Sequence, residues 1–307
     1  MSPHPEPIRS LPALTWETIA TNAVAWLSNG MILPLLLVYL IATRDLSPGL
    51  ADAVLAVATV CGLACQSIGG IAVDHIGPAR AFAVSLGITA LGSLSLTVAD
   101  DVRTIVVACI VSEIGRQLSA ATGPALLFSS VVERGHYPTA SAAQYMVTNG
   151  CSGAGGLLPG FTADPDRPST FVVLFVIQTI ALSSAALVIW LRLHRRIPRR
   201  IQSVTASRRI EGDARSATQR PTRLNGPLGS RAFRWAIAAA FLFPLVGNQQ
   251  LFTGLPLHIT SIGDQPTQVI GIAFAANTYT VVVTQFLALR VLHGHRRGGC
   301  QQHTALT

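Results

Sequence analysis

The sequence contains no lysine, so all 22 of its basic residues are arginines. That is a compositional bias and carries no mechanism by itself. Charge as a whole is scarce: 12% of the residues are charged, where a soluble domain carries about 25%. This shortage excludes an ordinary soluble globule. Aromatic residues make up only 6%, and none interleaves the arginines of residues 194–230. The formal net charge of +8 therefore does not read as a nucleic-acid surface. The five cysteines (Cys61, Cys65, Cys109, Cys151 and Cys300) have no metal-binding spacing. Cys61 and Cys65 lie four apart in an apolar run with no histidine or carboxylate beside them, and they read as small packing residues. No metal or cofactor is expected.

What the chain has in quantity is grease. Half of its residues are hydrophobic and the mean hydropathy is +0.48. These residues are gathered into runs that reach or exceed the roughly 20 residues needed to cross hydrocarbon. The first run is too long for a signal-peptide core and lacks a small-residue cleavage pattern after it, so it stays as a span. The fold class expected is all-α: a polytopic membrane helical bundle of about eight transmembrane helices.

The spans fall at 18–41, 50–73, 81–98, 102–132, 139–161 and 170–193, then at 233–257 and 269–292. A polar tail, 1–17, precedes them. Residues 18–193 form a six-helix unit, 194–230 a basic linker, 231–292 two further helices, and 293–307 a tail too polar to span. Pro34 should kink the first span. The fifth carries a glycine-dense stretch, Gly150 to Gly156, whose small residues let two helix backbones approach closely.

Arginine placement sets the orientation. With the N-terminus inside and eight crossings, the external loops hold three arginines, Arg44, Arg103 and Arg167, and Arg116 is intramembrane. The other 18 fall inside, twelve of them between Arg192 and Arg234. This is the bias of the positive-inside rule. It places the chain in a cell inner membrane with its N-terminus and central linker cytoplasmic, the linker being disordered or lying on anionic headgroups.

Function has to be sought inside the bundle. Glu113 and Arg116 share one face of the fourth span, three residues apart. At 1.5 Å per residue Glu113 lies roughly 16 Å deep. A lone charge at that depth costs about 2.5–3.5 kcal/mol on the lenient insertion scale, so the two should face the bundle interior as a pair. One reading is a proton-sensitive carboxylate held by an arginine, which couples protonation to substrate binding. The other is an ion pair that simply locks the helix. Asn22, Asn29, Asn149, Asn248, Gln249, Gln250 and Asn277 are uncharged polar groups at depth. Singly, each suits an interhelical hydrogen bond; as a set they suggest a polar path for a small molecule.

The turn between the second and third spans carries a resemblance. It reads Gly69-Gly70-Ile71-Ala72-Val73-Asp74-His75-Ile76-Gly77-Pro78-Ala79-Arg80. Gly70, Asp74, Gly77 and Arg80 fall on the Gly, Asp, Gly and trailing basic positions of a motif of the major facilitator superfamily. His75 stands where the family usually has arginine or lysine, and Pro78 and Ala79 replace two further bases. Six spans followed by a basic linker also resembles that family's layout. The resemblance implies a secondary active transporter of a small molecule, with Gly70, Asp74, Gly77 and Arg80 as the gating motif. Arg116 looks like the family's intramembrane arginine, with Gln117 beside it and Ala120 where a glycine is expected. The glycine-rich fifth span resembles the antiporter region without its Gly-Pro-x-x-Gly-Gly core. Together these imply proton-coupled efflux, with a small molecule, protons and the bilayer as partners, and no enzyme activity.

The family has twelve helices in two halves, and this chain carries a first half and two spans of the second. That implies a second possibility: a truncated, non-transporting protein, or a half-bundle that assembles with a partner. A rival from another class is a serine protease of the rhomboid kind, since Gly150-Cys151-Ser152-Gly153 matches Gly-x-Ser-Gly. Ser152 would need a histidine on a neighbouring span, and the one available is His258, at the outer end of the seventh. Chance in a glycine-rich stretch accounts for so short a match.

Overall fold

Proline and glycine punctuate the chain into helices. The computed structural model describes residues 11–131, 136–164, 167–196 and 268–284, with single residues at 235, 254 and 258. Among the described residues there is no strand, and seven helices account for nearly everything. They are α1 (Ala13–Thr43), α2 (Pro48–Ile76), α3 (Pro78–Thr97) and α4 (Val102–Ser130), then α5 (Tyr137–Thr162), α6 (Pro168–Leu193) and α7 (Gln268–Thr284). Helices α1 to α4 and α6 are long and apolar enough to cross a membrane. Helix α5 is 26 residues long, but its glycines, serines, threonines and Asn149 leave it less apolar. Most of the basic linker, nearly all of the seventh expected span including Asn248, Gln249 and Gln250, residues 1–10, the end of the eighth expected span and the tail 293–307 lie outside the described residues.

Each break has a local cause. Pro48, Pro78 and Pro168 open α2, α3 and α6, at the first helical position, where a missing N–H costs nothing. Gly77 joins α2 to α3 with φ +87°, a conformation that an L side chain would strain. Pro34 kinks α1 as expected: the chain tightens to a 3-10 turn at Leu33–Leu35 and widens to a π turn at Tyr39–Thr43. Asp101 and Thr104 form a reciprocal cap at the start of α4, and the Thr104 hydroxyl holds the exposed Asp101 carboxyl below the usual carboxylate range.

Small residues set the helix crossings. A Cβ on Gly30 of α1 would fall on the Ser152 carbonyl of α5, and one on Gly155 would fall on the Leu27 carbonyl. Gly92 and Gly115 do the same between α3 and α4, against the backbones of Ser112 and Thr89. Helix α7 lies on α5 through the same device: a Cβ on Gly271 would sit 2.8 Å from the Gly156 carbonyl and 3.0 Å from the Gly160 Cα. Association driven by close backbone packing is what lipid requires, because hydrocarbon removes the hydrophobic drive between helices. The glycine-dense stretch is thereby explained as a packing surface. Ser152 belongs to it, buried where α1 crosses α5.

One end of the bundle is tied by an aromatic knot. The Tyr39 ring packs on Phe171 and Phe175 of α6, with centroids 5.5 and 4.9 Å away. Its hydroxyl donates to the Leu96 carbonyl at 2.8 Å and accepts from Arg44 Nε at 2.6 Å. Arg44 also reaches the Leu96 carbonyl and lies 3.6 Å from Asp100. So α1, α3 and α6 are pinned at one point. Tyr39→Phe keeps the packing and removes two hydrogen bonds, each worth about 1 kcal/mol net. It should lower stability by roughly 1–2 kcal/mol in unfolding of the purified protein.

Candidate functional site

Charged and polar side chains gather around the middle of α4. Arg116 is the central residue of this 29-residue helix, and Glu113 sits one turn before it. Helical spacing alone brings the two side chains together. Arg116 Nε donates to Glu113 Oε2 at 2.7 Å, and its Nη2 donates to Oε1. Gln117 Nε2 adds a third donor to Oε1 at 2.8 Å. Hydrogen bonds to an ionised carboxylate are about twice as strong as neutral ones. The carboxylate is largely enclosed, its side chain 12% exposed, while that of Arg116 is 26% exposed.

The enclosure comes from α2. A Cβ at Gly62 would lie 2.9 Å from both Glu113 Cγ and Gln117 Cγ, so the glycine makes the room these side chains occupy. Beside the pair is a cavity of about 120 Å³ lined from five helices. Its polar wall is Asn29, Thr59, Ser112, Glu113, Arg116 and Gln178; Ile32, Leu33, Leu36, Leu55 and Leu96 make much of its apolar wall. Gln178 Nε2 reaches across from α6 to Asn29 Oδ1 on α1 at 3.4 Å.

Of the polar residues named from sequence, Glu113, Arg116 and Asn29 come together at this cavity. Asn22 and Asn149 do not line it. Asn22 is buried and bonds the Thr18 carbonyl of its own helix at 3.2 Å. Asn149 does likewise with the Tyr145 carbonyl at 2.9 Å. Asn277 is exposed on α7. The turn residues Gly70, Asp74, Gly77 and Arg80 do not line the cavity. Gly70 has open space around it, and Asp74 is exposed on the last turn of α2. Arg80 lies over the Trp190 ring of α6, 5.8 Å from its centroid. Gln178, Ser112 and Thr59 were not anticipated. Gln178 carried a signal, since it is the one carboxamide in α6.

Chemically, the arrangement pairs a group that can gain a proton with one that cannot lose its own. Neutralising Glu113 would leave Arg116 without its countercharge in a low-dielectric interior. Among the described residues no three of His, Cys, Asp or Glu gather as a metal site.

The model for the Major Facilitator Superfamily matches residues 18–298, from the second turn of α1 to beyond α7. No curated protein matches the chain.

Proposed function

The chain belongs to the Major Facilitator Superfamily, a family of membrane transporters, and we propose that it exports a small amphipathic molecule in exchange for protons. The observation that carries this reading is the Glu113–Arg116 pair at mid-helix, opening on a cavity with one polar and one leucine-rich wall. An ionisable pair within a span is expensive to keep and is a functional site by default. The apolar wall suits the body of an amphipathic ligand. In this account Glu113 takes and releases the coupled proton, Arg116 answers its change of charge, and Asn29 lines the path.

The turn at Gly77 acts as the gate. Gly70, Asp74 and Gly77 shape it, and Arg80, stacked over Trp190, ties the start of α3 to the inner end of α6. The arginine bias supports an inner-membrane location with the N-terminus and linker cytoplasmic. Glu17, paired with Arg196 at 2.9 Å, joins the corresponding ends of α1 and α6.

The test is a transport assay in inverted membrane vesicles holding the full chain, with an imposed pH gradient and a panel of neutral and charged amphipathic solutes. The reading expects at least one solute to accumulate with the gradient, above vesicles without the protein, and to leak out when the gradient is collapsed. Accumulation of none of them, or accumulation indifferent to the gradient, would count against it.

A further inference from the structure

Gln178 is the side chain whose chemistry the ion pair does not use. It is 3% exposed, it lines the cavity, and among the described residues its Oε1 has no hydrogen-bond partner. A buried acceptor left unpaired is costly, so an acceptor of this kind facing a cavity points to a ligand that supplies a donor. Its own Nε2 is committed to Asn29 Oδ1. The two carboxamides therefore form one patch, with Asn29 on α1 and Gln178 on α6.

Three features define what that patch would hold. The ligand must bring a hydrogen-bond donor, because the open group is a carbonyl oxygen. It is neutral, because the charged groups that line the cavity among the described residues, Glu113 and Arg116, already neutralise each other through two hydrogen bonds, with Gln117 adding a third to the carboxylate. It is compact and partly apolar. A 150 Å³ apolar cavity holds a benzene, so the roughly 120 Å³ here admits a body of about five or six non-hydrogen atoms. Ile32, Leu33, Leu36, Leu55 and Leu96 would pack around it.

We infer that the Asn29–Gln178 patch is a recognition site for a compact neutral ligand bearing an amide N–H or a hydroxyl on a short branched hydrocarbon. This deepens the transport reading by naming the substrate class, and it rests on that reading only for the step from binding to translocation. A hydroxyl would serve as well as an amide N–H, since both donate to Gln178 Oε1. A carboxylate would not, having no proton to offer and no free countercharge.

Carbon-14 isobutyramide is a suitable probe, with two isosteres as competitors. Isobutyrate replaces the amide nitrogen with a charged oxygen, and 3-methylbutan-2-one replaces it with a methyl group that cannot donate. Binding is measured on the full chain in nanodiscs, with empty nanodiscs subtracted. The expected result is saturable binding at one site per chain, with both isosteres competing at least tenfold more weakly than unlabelled amide. Gln178→Met, which keeps side-chain length and removes the carbonyl, should weaken the amide at least fivefold. Absence of saturable binding, equal competition by the ketone, or unchanged affinity in Gln178→Met would overturn the inference. The isosteres report on the unaltered protein, so misfolding of the variant cannot hide the answer. If the amide fails to bind while Glu113 still governs gradient-driven transport, the inference falls and the transport reading stands. If the amide binds as described and Glu113→Gln transports normally, the site stands and proton coupling falls.

Discussion

Glu113→Gln should abolish uphill transport and leave downhill movement in place. Glutamine has the size of glutamate, and its single carbonyl oxygen can still accept from Gln117 and one Arg116 N–H, so the cavity keeps its outline although the second Arg116 hydrogen bond is lost. What it loses is the ability to change charge. A pH step of about one unit is worth about 1.4 kcal/mol per proton, which supports roughly tenfold accumulation when one proton is exchanged per solute. The variant should bring that ratio back to unity while the solute still equilibrates across the membrane. Loss of downhill equilibration as well would signal a folding defect, and retained accumulation would remove Glu113 from the coupling step.

The second large effect concerns stability and depends on which partner is removed. Glu113→Ala strands a guanidinium that cannot shed its charge between α4 and α2, where Gly62 presses on the site. Breaking a buried pair by removing one partner costs about 3–5 kcal/mol, and the partial exposure of Arg116 argues for the lower end, about 3 kcal/mol. Arg116→Ala should cost less, because a stranded carboxylic group can neutralise itself by taking a proton. Removing both should cost less than Glu113→Ala alone, since no uncompensated charge is left. Chemical unfolding of the three purified variants in detergent ranks them. A double variant as unstable as Glu113→Ala would show that the pair is not held as an ion pair in the folded protein.

The helices among the described residues were legible because the signals that end a membrane helix are local. The run expected at 50–73 is the helix Pro48–Ile76, and that expected at 170–193 is Pro168–Leu193. Proline at the first position and Gly77 at a positive φ mark these ends by backbone sterics alone. The Glu113–Arg116 pair was legible for the same reason, since residues three apart in a helix are neighbours. What was not legible is where along the bundle the helices leave a gap. Asn22 and Asn29, seven residues apart, share a face of α1, yet only Asn29 lines the cavity, because the two stand about 10 Å apart along the helix axis. Asn149 satisfies itself on its own helix, and nothing in its flanking residues forecasts that choice. Gln178 belongs to the site because α6 packs beside α1, a tertiary fact. Arg44 illustrates the same limit: as a loop residue it reads as a marker of orientation, while in the fold it clamps Tyr39 to α3.

The central claim is that Glu113 changes protonation state inside the folded bundle. Infrared difference spectroscopy of the full chain reconstituted in lipid, recorded as the bathing pH is lowered and raised, observes this directly through the carbonyl stretch of a protonated carboxylic acid. The account predicts one reversible band of that kind that is absent from Glu113→Gln and displaced in Arg116→Ala. The same band present in Glu113→Gln, or no reversible change assignable to Glu113 over the range in which the protein stays folded, would contradict it.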